Sequence, residues 1–173
     1  MMKKLCVAVV LMLLLTGCGR QETLETVNDV LVQPVATQMQ QILIELPNDM
    51  ATPVMETDAG KLYVCDQYTI TQQVLTSGDL AKTIQTVSGF PREELKIMET
   101  THGEVERYDF VWAATGESGT QICRACILDD GDYHYVLSAS ADAAQADQLQ
   151  QTWREMFNSF RVVSAQMATD IGS

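Results

Sequence analysis

Cys123-Arg124-Ala125-Cys126 has the spacing of thiol redox chemistry. Where a CxxC pair is catalytic it sits at a helix N-terminus, whose dipole lowers the pKa of the first thiol. Here it lies inside a stretch, residues 121–129, patterned as a strand. Residues three apart on a strand point to opposite faces, so these two sulfurs pair only across a bulge. Cys65 is a third thiol, on another strand-like stretch. Three is odd, so at most one disulfide forms among Cys65, Cys123 and Cys126 and one thiol stays free. Two readings stay open: a disulfide from Cys65 to one of the pair, or three free thiols acting as small core residues. Redox work by Cys123 and Cys126 is the competing catalytic reading. Zinc held by the three cysteines and His134 is a further formal possibility of these residue types, but no metal site is expected.

Asp129-Asp130-Gly131-Asp132 gathers three carboxylates. A calcium loop of the EF-hand kind needs ligands at positions 1, 3, 5 and 12 with Gly at 6, and that spacing is absent. Asp-Gly between two strands reads instead as a hairpin turn. The two histidines are His102, before a turn glycine, and His134, between Tyr133 and Tyr135 and so on the opposite face. Neither comes with a signature for a Cys-His pair, and Ser138 and Ser140 lack the Gly-x-Ser-x-Gly elbow. Phosphate-loop and dinucleotide fingerprints are missing too. No catalytic residue and no cofactor is assigned. Tyr108, Trp112, Tyr133 and Tyr135, with Arg107, form the aromatic-rich part. As one sheet face they are either core beneath a helix or the lining of a groove for a peptide or apolar ligand.

The elements that must position these residues read as α+β. Residues 41–46 are apolar and end at Pro47, a first strand. Residues 62–75 are rich in β-formers, with Asp66-Gln67 as a turn that makes a hairpin. Ser77 or Asp79 can cap a helix in which Leu80, Ile84 and Val87 share a face and Gly89 is the stop. Between Glu94 and Ser140 three turn signals recur: His102-Gly103, Glu117-Ser118-Gly119 and Asp130-Gly131. Tyr108, Phe110, Trp112 and Ala114 alternate with Asp109, Val111 and Ala113, which predicts an antiparallel meander of four strands. A helix follows over residues 143–159, with Asp142 as its cap and charges suited to the helix dipole. Its stripe of Leu149, Trp153, Met156 and Phe157, continued by Phe160, should lie on one sheet face. Upstream, Val27, Val30 and Leu31 predict a short helix ending near Val32, before Pro34.

The chain begins differently. Lys3 and Lys4 precede an apolar run from Leu5 to Leu15. That run is shorter than the ~20 residues a membrane-spanning helix needs and has the layout of a secretory signal. Leu15-Thr16-Gly17-Cys18 resembles the lipobox of bacterial lipoproteins. The resemblance implies cleavage before Cys18 and acylation of its thiol by diacylglyceryl and palmitate-type chains. Two or more acyl chains suffice for stable anchoring. The formal net charge of −12 argues against nucleic-acid binding and against charge-driven adhesion to anionic lipid.

The order of elements resembles the PsbP-like fold, an antiparallel sheet sandwiched between helices. The carriers are the helix after the first hairpin, the meander, Tyr135-Val136-Leu137-Ser138-Ala139-Ser140-Ala141, and the ending Phe157-Asn158-Ser159-Phe160-Arg161. The resemblance implies a protein that binds others or assists assembly without a common catalytic site. The organisation expected is a signal peptide (1–17), a lipidated tether (18–38), a PsbP-like domain (39–164) and a flexible tail (165–173). The function expected is a non-catalytic binding or assembly-assisting module. It would be held on the outer side of the cytoplasmic membrane by lipid on Cys18, with an envelope protein or a small ligand as partner.

Overall fold

The computed structural model describes residues 38–48, 52–116 and 119–163. The signal, Cys18, the tether, the short helix expected before Pro34 and the tail lie outside the described residues.

Two strands, β3 (Gly60–Val64) and β4 (Tyr68–Thr76), form the first hairpin, with short β2 (Met55–Thr57) beside β3. Cys65 N–H donates to the Tyr68 carbonyl at 3.1 Å and closes the turn where Asp66-Gln67 was expected. Helix α1 (Leu80–Ser88) follows. Asp79 caps it by accepting from Ala81 N–H at 3.0 Å, and Gly89, at φ 80°, ends it in the left-handed conformation that favours glycine. The meander then runs β5 (Ile97–His102), β6 (Val105–Gly116), β7 (Gly119–Asp129) and β8 (Tyr133–Asp142). Helix α2 (Ala143–Ser159) and a short strand β9 (Arg161–Val163) complete the described chain, and β9 pairs with β1 (Gln41–Leu43).

All strand pairs are antiparallel, and the seven-stranded sheet has the order β2-β3-β4-β8-β7-β6-β5. The meander thus closes onto the first hairpin through β4 and β8, from Tyr68 opposite Ala141 to Thr76 opposite Tyr133. Each sheet face carries one helix. Ile84 of α1, fully buried, packs on Tyr108, Phe110, Ala125, Ile127 and Val136. Leu149, Trp153, Met156 and Phe157 of α2 and the following Phe160 pack on Cys126, Leu128, Tyr135, Leu137 and Ala139. Burying one such side chain is worth about 1.5–3 kcal/mol, and these two layers hold the helices to the sheet.

Two details of α2 differ from expectation. Asp142 occupies the cap position but its side chain makes no capping hydrogen bond, because its backbone still belongs to β8, opposite Gln121. The first turn holds no acid and the last turn no base. The C-terminal end is instead served by Arg107 of β6, whose Nη2 and Nη1 donate to the carbonyls of Phe157 at 2.9 Å and Phe160 at 3.3 Å.

Candidate functional site

The register decides where each candidate side chain stands. Trp112, Cys123 and Ser140 are opposed across β6, β7 and β8 on the α1 face, whereas Asp109, Cys126 and Leu137 are opposed on the α2 face. Cys123 and Cys126 thus lie on opposite sides of one strand. Cys65, Cys123 and Cys126 all carry free thiols. Cys126 is wholly buried and Cys123 nearly so. Burial raises both thiol pKa values and keeps the sulfurs protonated. A thiolate nucleophile therefore has no support here.

The four aromatics do not form one face. Tyr108 and Trp112 pack on the α1 side, Tyr133 and Tyr135 with the α2 core. The reason is register: Tyr135 stands opposite Leu128, which stands opposite Arg107, one residue out of phase with Tyr108. Tyr135 donates from its hydroxyl to Asp130 Oδ2 at 2.9 Å and accepts from Gln40 N–H at 2.9 Å. The expected binding face of Tyr108, Trp112, Tyr133 and Tyr135 is thus divided: Tyr108 and Tyr135 are core, Trp112 and Tyr133 half-buried.

His134 is fully buried between α1 and the β7–β8 hairpin. Its Nδ1 lies 2.8 Å from Thr83 Oγ1 and its Nε2 3.2 Å from Asp129 Oδ2, with Ser77 Oγ at 3.5 Å. Hydroxyl, imidazole and carboxylate in line resemble a nucleophile, base and orienting acid. With His134 and Thr83 both buried, the arrangement works as a clamp that ties α1 to the hairpin. The carboxylates of Asp129 and Asp130 also bind the turn's own backbone. Asp129 Oδ1 accepts from Gly131 N–H at 2.8 Å, and Asp130 Oδ1 accepts from Asp132 and Tyr133 N–H groups at 3.0 and 2.8 Å. They build the hairpin that the Asp-Gly sequence announces.

An open site remains on the α2 side. Helix α2 packs mainly against β8 and β7; its C-terminal end meets β6 through Arg107, while Val111 of β6 and Met98 of β5 stay open. Val111 is 55% exposed and Met98 60%. A hollow of 390 Å³ lies between Val111, Ile122 and Arg124 of the sheet and Asp147, Trp153 and Arg154 of the helix. A second, of 650 Å³, shares Val111 and Arg124 and continues to Lys96 and Met98. Together they form a groove with an apolar floor, flanked by Lys96, Arg124 and Arg154. Arg124 is held over the Phe157 ring, 4.3 Å from its centroid, and its Nη2 reaches Asp109 Oδ1 at 3.4 Å. Asp109, nearly buried, is gripped bidentately by Arg107, Nε to Oδ2 at 2.6 Å and Nη2 to Oδ1 at 3.1 Å. The buried indole Nε1 of Trp153, on the groove wall, donates to no atom among the described residues.

Sequence reasoning missed this groove. Alternation puts Val111 on the same face as Asp109, but that α2 leaves Val111 open has no local signal. The Arg107-x-Asp109 pair was legible, since residues two apart on a strand share a face.

No family model matches the sequence, and no curated protein matches it. Solved structures do. LpqN, involved in cell envelope biogenesis of Mycobacterium tuberculosis, is 13% identical, with 72% of this chain and 84% of that one covered at a TM-score of 0.50. Cyanobacterial PsbP from Synechocystis is 8% identical, covering 73% and 95% at a TM-score of 0.50. The Ran-binding protein Mog1p of Saccharomyces cerevisiae is 15% identical, covering 72% and 92% at a TM-score of 0.47. The chain shares the PsbP-like α+β fold of LpqN and cyanobacterial PsbP.

Proposed function

We propose that this protein is a lipoprotein tethered through Cys18 to the outer side of the cytoplasmic membrane. Its domain acts there as a non-catalytic module that binds an envelope protein or a small ligand, or assists assembly. The observation that carries the binding reading is the groove beside α2, where Val111 and Met98, 55% and 60% exposed, line one hollow together with Lys96 and Arg124. Apolar surface kept open beside fixed cations is the usual mark of a recognition site. The non-catalytic part rests on the burial of His134 and on the opposed placement of Cys123 and Cys126.

The anchoring part rests on Leu15-Thr16-Gly17-Cys18 after the basic and apolar leader. Among the described residues no helix is long and apolar enough to cross a membrane, and in this reading the acyl chains do the holding. LpqN, which shares the fold, is involved in cell envelope biogenesis, the same setting as proposed here. Fractionation of cells fed an alkyne fatty acid tests the anchor. The wild type should incorporate label and sediment with membranes, and Cys18→Ala should do neither. A Cys18→Ala protein that stays on the membrane contradicts the lipoprotein reading.

A further inference from the structure

Strand β6 runs from Val105 to Gly116, but the register of β5 stops at Ile97 opposite Phe110. Residues 111–116 pair with β7 alone, up to Gly116 opposite Gly119. The outer main-chain edge of this arm has no strand beside it among the described residues. Its sequence, Val-Trp-Ala-Ala-Thr-Gly, carries no charge and no proline. Sheets ordinarily blunt a free edge with lysine, proline, a bulge or a covering loop, and an edge without them is a template for another strand. Here the edge is open on both faces. Val111 and Ala113 are exposed on the α2 side, and Trp112 and Ala114 are half-buried on the α1 side. A hollow of 310 Å³ lies on that second side, lined by Trp112, Ala114, Cys123 and Ser140 among others.

We propose that residues 111–116 accept an extended segment of a partner protein as an added strand in line with β5. The segment alternates carboxylates with aliphatic side chains. This deepens the groove reading above and rests on it. The periodicity follows from the two faces of the slot, because successive side chains of an added strand point to opposite sides. On the α2 side they meet Lys96 beside the edge, with Arg124 one strand further in, both lining the hollow at Val111. The acids on that side are Asp109, already bound by Arg107 and Arg124, and Asp147, which accepts from the Gln150 amide at 3.1 Å. On the α1 side they meet Trp112 and Ala114. In a chain of net charge −12 this cationic strip is where an acidic segment finds complementary charge. A second copy of the chain would instead bring two acidic bodies together, and it is the less favoured occupant.

The probe is a capped peptide of three Glu-Val repeats, tested on the full chain in detergent by hydrogen exchange. Controls are the matching Lys-Val peptide and a Glu-Val peptide N-methylated at alternate residues. The Glu-Val peptide should slow exchange of amides within residues 111–116 by about tenfold at saturation. The Lys-Val peptide should not, and N-methylation should abolish the effect because it removes main-chain donors. Lys96→Glu, at the rim and away from the core, should weaken the Glu-Val peptide by about threefold. Equal binding of the N-methylated peptide overturns strand addition while leaving the groove reading intact. Absence of protection at residues 111–116 with millimolar Glu-Val peptide overturns the proposal. Protection that grows with protein concentration in the absence of peptide also overturns it, since the edge would then be taken by a second copy.

Discussion

Replacing Arg107 by Leu should be among the most damaging single changes in the domain. The Asp109 carboxylate, 9% exposed as a side chain, receives Arg107 Nε at 2.6 Å and Nη2 at 3.1 Å. Without Arg107 its remaining partner in this cluster is Arg124 at 3.4 Å, at the limit of hydrogen-bond range. The carbonyls of Phe157 and Phe160 lose donors at 2.9 and 3.3 Å at the same time. Removing one member of a buried ion pair typically costs about 3–5 kcal/mol, because the other charge is left unpaired. With a urea slope of about 2 kcal/mol per molar, the unfolding midpoint should fall by about 1.5–2.5 M. The double change Arg107→Leu with Asp109→Leu removes both charges and should cost less than the single one. Urea titrations followed by tryptophan fluorescence give the full double-mutant cycle. A loss below about 1 kcal/mol for Arg107→Leu, or a double mutant as costly as both singles together, would refute the reasoning.

Three further outcomes follow from the same geometry. Trp153→Ala should cost about 3–5 kcal/mol in the same titration, since Trp153 is 5% exposed in the α2 core; a cost under about 1 kcal/mol would mean that the helix does not dock as described. Burial, aided by the bond to Glu106, pushes the Tyr108 hydroxyl from 10.0 up to about 12. The folded state thus holds that proton longer than the unfolded one, so the stability it contributes is full below pH 10.0 and lost as pH rises towards about 12. Tyr108→Phe should flatten the alkaline limb of the stability profile in that window, and an unchanged slope would count against the assignment. Among the thiols, half-buried Cys65 should react first with an aromatic disulfide reagent at pH near 8, Cys123 more slowly and Cys126 only on unfolding. Rapid labelling of Cys126 in the native state would show that α2 opens far more readily than its packing allows.

The parts of this fold that are written locally were legible before the structure. Helix α1 follows from Asp79, the spacing of Leu80, Ile84 and Val87, and Gly89; the meander follows from its turn residues and two-residue alternation. Pairings between distant segments were not legible. Nothing around Tyr68 announces Ala141 as its partner, and nothing around Gln41 announces Val163. The division of the aromatics has the same origin. Alternation assigns each residue to a face of its own strand, but only the register across β7 shows that Tyr108 and Tyr135 face opposite ways. The groove depends on something less local still, the path of α2 over β7 and β8 and the late start of β5, whose first residue stands opposite Phe110.

The central claim is that the strip around Val111 is where this protein meets its partner. A photo-crosslinking residue placed at Val111, in the membrane-anchored full chain in intact cells, tests that most directly. A control at Val64, 50% exposed at the end of β3, matches it in exposure to solvent. Crosslinking from Val111 to one recurring partner, weakened by Lys96→Glu and absent from Val64, is the result the account predicts. Equal adducts from both positions, or a partner captured only from Val64, would contradict it.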